Sequence, residues 1–367
     1  MDKKFVMGIA AMAALTLVSC SSDDLDSFSD NSSKNEAISF DGYLGRSAVA
    51  VNGTRGSVLD KTTLQSAGFG VFGNYSATES ENSTFGTNLF NNVKVTGTTS
   101  TGGTEWTYGG VKYWPLQGQI DFLAYAPHET GKTLKNTSCI DFTVKSTAAE
   151  QKDLLWANAK NQTTTTIAST GNKVKFQFKH ALSRLGFTVK LKKEPSTDAT
   201  ITLKSIKLAG STDGTSKSAF YTGGDFDLAK GEWSQAALNT TTKQNFDWFS
   251  GSKKVTSTSQ SNIDFGKDYL FVIPQEFPST TEDNKLYVIV EYTMQYTDVK
   301  GSDGQPAIIT NKVYKQLTNN KKFEQGKAYM INLTIGRPIE FDADVTPWTG
   351  EGNDETGIDI DSWDVIK

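Results

Sequence analysis

Short segments in which apolar and polar residues alternate constrain the fold of this chain more than any other feature. Residues 329–335 and 173–179 show the alternation clearly, and lysines fill most of the polar positions of the second segment. A repeat of two residues puts one face of a β-strand into a core and the other into water. Turn-forming residues bound these segments, and no long helical repeat follows the N-terminal segment. The sequence therefore predicts an all-β fold.

The length of the chain and one stretch of small polar residues suggest how it is divided. The 367 residues, less a signal and a tether, suggest about two domains. Residues 161–172 are dominated by Thr, Ser and Gly, which places a predicted boundary there. We predict two tandem β-sandwich domains at 37–168 and 169–338, followed by a separate segment at 339–367.

The N-terminus has the layout of an export signal. Two lysines precede an apolar run at 5–18 that is too short to span a bilayer, and small residues lead from it to Cys20. The ending Leu-Val-Ser-Cys is the pattern of a bacterial lipoprotein signal, which predicts a signal peptide at 1–20 and a lipid on Cys20. An ordinary signal peptide with a chance cysteine is the alternative. The Ser-, Asp- and Asn-rich residues 21–36 are predicted to form a flexible tether.

Composition and spacing argue against catalysis. The chain has two histidines and two cysteines, and a lipid on Cys20 would leave Cys139 without an intramolecular partner. No Gly-x-Ser-x-Gly sequence occurs, and the acidic residues near the C-terminus lack the spacing of a calcium-binding loop. The net charge of −4 gives no basic field for nucleic acid. We therefore expect a protein without enzymatic activity, cofactor, metal site or nucleic-acid partner, and interpret His180 as structural.

Arginine is scarce in this lysine-rich chain, and two arginines follow the first predicted strand. Arg46 and Arg55 are flanked by Gly, Ser and Thr, and basic residues exposed in such segments are good protease targets. A solubilising loop charge is the alternative interpretation for both residues.

The C-terminal segment has a strand pattern of its own. Acidic residues alternate there with apolar ones, and a turn-like stretch divides the pattern into two parts. These strands could pack on their own domain or add to the sheet of a neighbouring chain. The apolar positions are Ile339, Phe341, Ala343, Val345 and Trp348, followed by Ile358 and Ile360.

Several short motifs follow one another along nearly the whole chain after the signal. They are the lipobox at Cys20, Ile-Ser-Phe at 38–40, Val-Lys-Tyr-Trp-Pro at 111–115, Asp-Phe-Leu-Ala-Tyr-Ala-Pro at 121–127, Phe-Lys-His-Ala-Leu-Ser-Arg-Leu at 178–185 and Val-Thr-Pro-Trp at 345–348. Each motif is weakly specific, but the ordered set is not. It resembles the fimbrillin (Mfa-like) family of Bacteroidales.

This resemblance implies both a fold and a function. Members of the family have two transthyretin-like β-sandwich domains, reach the outer membrane as surface lipoproteins and polymerise into type V pili, the fimbriae that support adhesion. An arginine-specific protease removes the lipidated N-terminus together with the first strand. The groove left behind accepts a strand of another fimbrial subunit, commonly its C-terminal segment.

Applied to this chain, the family pattern assigns a residue to each site and names the partners. The implied partners are other fimbrial subunits, the outer membrane and the protease. The sites are the lipid at Cys20, the removable strand with Ile38 and Phe40, cleavage at Arg55 or else Arg46, and the donor strand at 339–348 with or without 358–365.

Two other hypotheses come from the same residues. A pilus tip or surface adhesin would bind a glycan or host ligand, and Trp106, Tyr108 and Trp114 could offer a platform on which sugars stack. Core packing is the alternative role for these aromatic residues. A secreted β-sandwich hydrolase is the second hypothesis, and it lacks a recognisable set of nucleophile and histidine.

Overall fold

The computed structural model describes the chain from Ala37 onward, with gaps. The described residues are 37–44, 59, 61–101, 103–192, 199–234, 238, 242–259, 269–277, 284–318, 322–335, 340–347, 356–360 and 364–365. The predictions for the signal peptide, the tether, Cys20, Arg46, Arg55, Ile339 and Trp348 lie outside them. The described residues belong to one compact unit, Glu36–Lys367.

Strands dominate the described residues, which confirms the predicted all-β fold. Two short α-helices, α1 (Lys61–Ala67) and α2 (Thr164–Ile167), and two 3-10 turns, Ala148–Glu150 and Ala168–Thr170, complete the regular structure. The strands are β1 Phe40–Leu44, β2 Phe69–Ser76, β3 Phe90–Ser100, β4 Gly103–Tyr108, β5 Gln119–Ala126, β6 Cys139–Thr143, β7 Leu155–Gln162, β8 Val174–His180, β9 Ser183–Leu191, β10 Ala199–Ala209, β11 Phe220–Tyr221, β12 Gly223–Asp227, β13 Glu232–Trp233, β14 Lys243–Gln244, β15 Phe246–Val255, β16 Leu270–Val272, β17 Gln275–Glu276, β18 Tyr287–Lys300, β19 Pro306–Gln316, β20 Lys322–Phe323, β21 Lys327–Ile335, β22 Glu340–Pro347, β23 Thr356–Ile360 and β24 Asp364–Val365.

The first sheet has seven strands in the order β1-β8-β7-β5-β2-β3-β4. Its neighbours are antiparallel, except that β1 runs parallel to β8. One face of this sheet encloses the first core, a cluster rich in aromatic residues. The buried members of the first core are Ile38, Phe40, Leu59, Leu64, Phe69, Val71, Phe90, Val95, Trp106, Trp114, Ile120, Phe122, Ala124, Ala126, Leu155, Ala157, Ile167, Val174, Phe176 and Phe178.

The strand β8 lies in the first sheet, not in the second domain to which the sequence analysis assigned it. It pairs with β7 and β1, and its apolar residues join the first core. The Thr- and Ser-rich residues before β8 form the helix α2 instead of a linker. Thr163 caps this helix by accepting a hydrogen bond from the backbone N–H of Thr166, and Ile167 is buried in the first core. A boundary between 168 and 169 would separate β8 from its own sheet.

The second half of the chain builds two five-stranded sheets and two small two-stranded ones, and its strands β12 and β13 form a three-stranded sheet with β6 from the first half. The orders are β15-β10-β18-β19-β24 and β16-β9-β21-β22-β23, and β9 runs parallel to β21. Their core also includes Phe72, Leu123, Tyr125 and Trp156 from the other face of the first sheet. The two halves therefore share apolar packing. Among the described residues, no helix is long and apolar enough to cross a membrane.

The helix α1 is an element that the alternation pattern does not reveal. Residues 51–65 are irregular in sequence, yet Lys61–Ala67 is helical and Leu64 is buried in the first core. The backbone N–H of Gly68 donates to the Leu64 carbonyl at 2.9 Å where the helix ends. Two turns are too short to establish a helical repeat, because only one of their residues needs to face the core.

Candidate functional site

Hydrogen bonds hold the first strand on one side and the residues just before it on the other side. On one side, β1 pairs with β8 in a parallel register that sets Phe40 beside Val174, and the Val174 N–H donates to the Ser39 carbonyl at 2.9 Å. On the other side, the Ile38 N–H donates to the carbonyl of Lys112 at 2.8 Å. The strand β1 is therefore an edge strand of the first sheet, and the residues just before it are also tied to the segment that follows β4.

Phe40, the first residue of this strand, fills an aromatic pocket. Its side chain is 1% exposed. The ring centroids of Phe90, Tyr108, Phe122 and Phe176 lie 5.4 to 5.6 Å from that of Phe40. Burying a phenylalanine side chain contributes about 1.5–3 kcal/mol, and aromatic pairs add about 0.5–1.5 kcal/mol beyond the buried area. Phe40 is thus the main anchor of β1.

The groove that holds β1 is deep at two inward positions and shallow at the third. Ile38 and Phe40 are both buried, whereas the next inward residue is Gly42. A Cβ atom on Gly42 would lie 3.0 Å from a ring carbon of Phe69 and 3.3 Å from one of Phe178. The aromatic rings therefore approach the backbone closely there, and the groove accepts only a small residue at this position.

The aromatic residues considered for a sugar platform are instead part of this groove. Trp106 is 7% exposed and Trp114 is 3% exposed, and both belong to the first core. The Tyr108 hydroxyl donates to the Ile38 carbonyl at 2.7 Å. Trp106 and Trp114 cannot offer an open stacking surface, so the sugar-platform hypothesis is wrong for these two residues, and core packing is their role. Tyr108 is half-buried and packs against the same core.

Replacing Tyr108 with phenylalanine should weaken the hold on β1. The change removes the bond to Ile38 and the acceptor for the Lys112 N–H at 3.3 Å, so we expect a loss of about 1 kcal/mol in the free energy of unfolding. Burial raises the pKa of Tyr108, so the hydroxyl stays protonated at neutral pH. Denaturant titration measures the loss. Tyr75→Phe is the matched control, because its hydroxyl makes an exposed bond at 3.3 Å; an equal loss in both variants would contradict the prediction.

A buried polar pair fixes the chain at Leu59, shortly before α1. The Asp153 side chain is fully buried, and its Oδ2 lies 2.8 Å from His180 Nδ1 at the end of β8. The same oxygen accepts a hydrogen bond from the Leu59 N–H at 3.3 Å. This contact supports the structural interpretation of His180. The role of Asp153 was not predicted from the sequence. The position of Asp153 directly before the apolar residues 154–156 is the signal that could have indicated a buried carboxylate.

The described part of the predicted donor segment lies in a sheet of its own chain. The strand β22 pairs with β21, and its register sets Phe341, Ala343 and Val345 beside buried residues of β21. The strand β23, with Ile358 and Ile360, pairs in turn with β22. The strand β24 pairs with β19. Of the two placements left open by the sequence, the structure shows the one within the same chain.

Comparison with known proteins identifies the family. The model of the family described as Fimbrillin-like matches residues 54–348, so the chain belongs to the fimbrillin-like family. The crystal structure of a fimbrial protein from Bacteroides vulgatus is 20% identical, with a TM-score of 0.60, and the match covers 85% of this chain and 99% of that one. At this identity the likeness shows a shared fold. No curated protein matches.

Two further structures are similar at lower scores. A protein from Bacteroides uniformis proposed to act in cell adhesion is 19% identical, with a TM-score of 0.49, over 85% of this chain and 99% of that one. The tip fimbrial protein Mfa3 from Porphyromonas gingivalis is 11% identical, with a TM-score of 0.34, over 79% and 99%. Membership of the family supports a role as a fimbrial subunit and confirms the expectation of a non-enzymatic protein.

Proposed function

We propose that this chain is a structural subunit of a type V pilus, exported as a lipoprotein through Cys20 and polymerised by strand exchange. An arginine-specific protease would cut at Arg55, or at Arg46, and release β1 together with the lipidated N-terminus. The observation that carries the proposal is the position of β1. Its anchor fills a deep pocket of the first core, yet both candidate arginines lie between Leu44 and Leu59, so one cut separates β1 from the remaining chain.

Loss of β1 would raise the free energy of the first sheet. The backbone groups of β8 that face β1 would lose their partners, and the pocket of Phe40 would open to water. Ile38 and Phe40 each contribute about 1.5–3 kcal/mol by their burial. A replacement strand with the same alternation would restore both the backbone hydrogen bonds to β8 and the burial of apolar side chains. This gain in free energy is the driving force for joining subunits. Asp153 holds Leu59 independently of β1, so the start of the cut chain keeps its anchor.

The C-terminal segment carries a close copy of the sequence that fills the groove. Residues 38–42 read Ile-Ser-Phe-Asp-Gly, and residues 339–343 read Ile-Glu-Phe-Asp-Ala. The large, aromatic and small residues that the groove requires therefore recur at the same spacing. This match favours Phe341 as the residue that replaces Phe40. Residues 358–360 supply two isoleucines at the same spacing but no aromatic residue, so they are the weaker donor candidate.

Proteolysis of the purified, lipid-free chain tests the proposal. An arginine-specific protease should make one early cut at Arg55 or Arg46, and ladders should then appear on gels of unboiled samples. Replacing the cleaved arginine with lysine keeps its charge but should abolish both the cut and the ladder. The same replacement at the other arginine is the matched control and should change neither. A chain that is cut but never polymerises would contradict the proposed role as a polymerising subunit and point to a tip or anchor subunit.

A further inference from the structure

We propose that a row of lysines on β8 recognises the incoming strand by its carboxylates. The row selects residues 339–345 of a second copy of this chain, in the register that places Phe341 where Phe40 lies. This inference rests on the strand exchange proposed above and adds to it a chemical basis for the choice and alignment of the donor.

The lysine row lies on the outer face of the strand that pairs with β1. Lys173, directly before β8, and Lys175 and Lys179 on it alternate with the buried apolar residues of the strand, and the latter two lysines are exposed. Lys179 Nζ lies 5.2 Å from the ring centroid of Trp156. Within the part of the chain that the structure describes, none of the three lysines forms an ion pair. The row is therefore available to an acidic strand.

The candidate donor matches this row better than β1 does. In the parallel register, Asp41 lies beside Lys175 and Tyr43 beside Gln177, so β1 offers the row a single carboxylate. The aligned donor carries Glu340, Asp342 and Asp344 at the places of Ser39, Asp41 and Tyr43. Asp342 would then lie beside Lys175, and Asp344 would lie between the levels of Lys175 and Lys179. Opposite charges on neighbouring strands stabilise their pairing.

The place of the donor in its own sheet lacks this complementarity. The register of β22 and β23 sets Asp342 directly beside Asp359. On the other side of β22, the register sets Glu340 beside Thr334 and Asp342 beside Asn332. Like charges opposite one another destabilise a strand pair. Moving to β8 would therefore exchange a repulsive pairing for an attractive one.

The experiment measures the rate of polymerisation after protease treatment of the full, lipid-free chain. The double variant Lys175→Glu/Lys179→Glu should polymerise about tenfold more slowly at low salt, because two attractive pairings become repulsive. The polymerisation rate of the Lys175→Gln/Lys179→Gln variant should lie between the rates of the Lys175→Glu/Lys179→Glu variant and the unaltered chain. Lys254→Glu, an exposed lysine on β15 in another sheet, is the matched control and should stay within about twofold. High salt should reduce all these differences, since it screens exposed charges.

Charge reversal on the donor provides a rescue. Adding Asp342→Lys and Asp344→Lys to the Lys175→Glu/Lys179→Glu chain should restore most of the rate, whereas the donor changes alone should slow it. A labelled Lys175→Glu/Lys179→Glu chain should still donate its unaltered C-terminal segment to unaltered subunits, and a misfolded chain would fail there. Unchanged rates in the reversed variants, or a slow rate without rescue, would overturn the lysine row and leave strand exchange intact. If the unaltered cut chain does not polymerise, strand exchange itself fails, and the lysine row with it.

Discussion

Replacing Phe40 with alanine should lower the free energy of unfolding of the intact chain by about 3–5 kcal/mol, because it empties the pocket at the centre of the first core. Four aromatic rings surround the Phe40 ring and cannot collapse into the space without moving strands of the sheet. Denaturant titration gives the loss in stability. Hydrogen exchange of the β8 amides shows whether the loss is local to the groove.

Tyr43→Ala is the matched control for this experiment. Tyr43 lies on the same strand but is 41% exposed, so its loss should cost no more than about 0.5 kcal/mol. Equal effects of the two substitutions would show that β1 is held by its backbone alone. That result would remove the pocket of Phe40 from the proposed mechanism.

Replacing Phe341 with alanine should suppress polymerisation of the cut chain while leaving the cut itself unchanged. If Phe341 occupies the pocket of Phe40, its truncation costs the joint about 3–5 kcal/mol, which weakens it at least about a hundredfold. Gels of unboiled samples and electron microscopy of the product measure the effect. The uncut Phe341→Ala chain should keep its groove closed by β1, and hydrogen exchange of β8 checks this.

Ile360→Ala separates the two donor candidates. Since Ile360 lies in the second part of the C-terminal segment, its truncation should leave polymerisation largely intact. Suppression by Ile360→Ala, with no effect of Phe341→Ala, would move the donor to 358–365. Polymerisation that survives deletion of 339–367 would contradict a C-terminal donor altogether.

Alternation along the sequence is sufficient to predict the strands but not their partners. The strand that contains Val174, Phe176 and Phe178 is evident from its pattern, since one face is buried and the other is solvated. Its membership of the first sheet depends on pairing with β7 and β1, and the β1 residues lie more than a hundred positions away in sequence. A period of two residues carries no information about such distant partners. The turn-rich residues before β8 then favoured a boundary that separates β8 from the strands with which it pairs.

For the candidate site, too, the sequence predicts the strand but not its distant partners. The sequence predicts that Ile38 and Phe40 lie in a strand and face a core, and the structure confirms that both are buried. It does not predict the hydrogen bond from Tyr108 to Ile38 or the contact of Asp153 with Leu59, because both join residues 70 or more positions apart. The lipid, the protease and the exchange itself stay predictions, since they concern residues or partners outside the described structure.

The strand β1 belongs to the same chain as the groove that it fills, and this connection determines the order of cleavage and assembly. While the link is intact, β1 competes for the groove as an intramolecular ligand, at an effective concentration of roughly millimolar for a short connection. A donor from another copy at about micromolar concentration would be outcompeted roughly a thousandfold, even with equal intrinsic affinity. One cut between Leu44 and Leu59 converts this built-in inhibitor into a separate peptide that can dissociate. Under the proposed scheme, connectivity alone makes cleavage precede assembly, and the precursor needs no second protein to keep it monomeric.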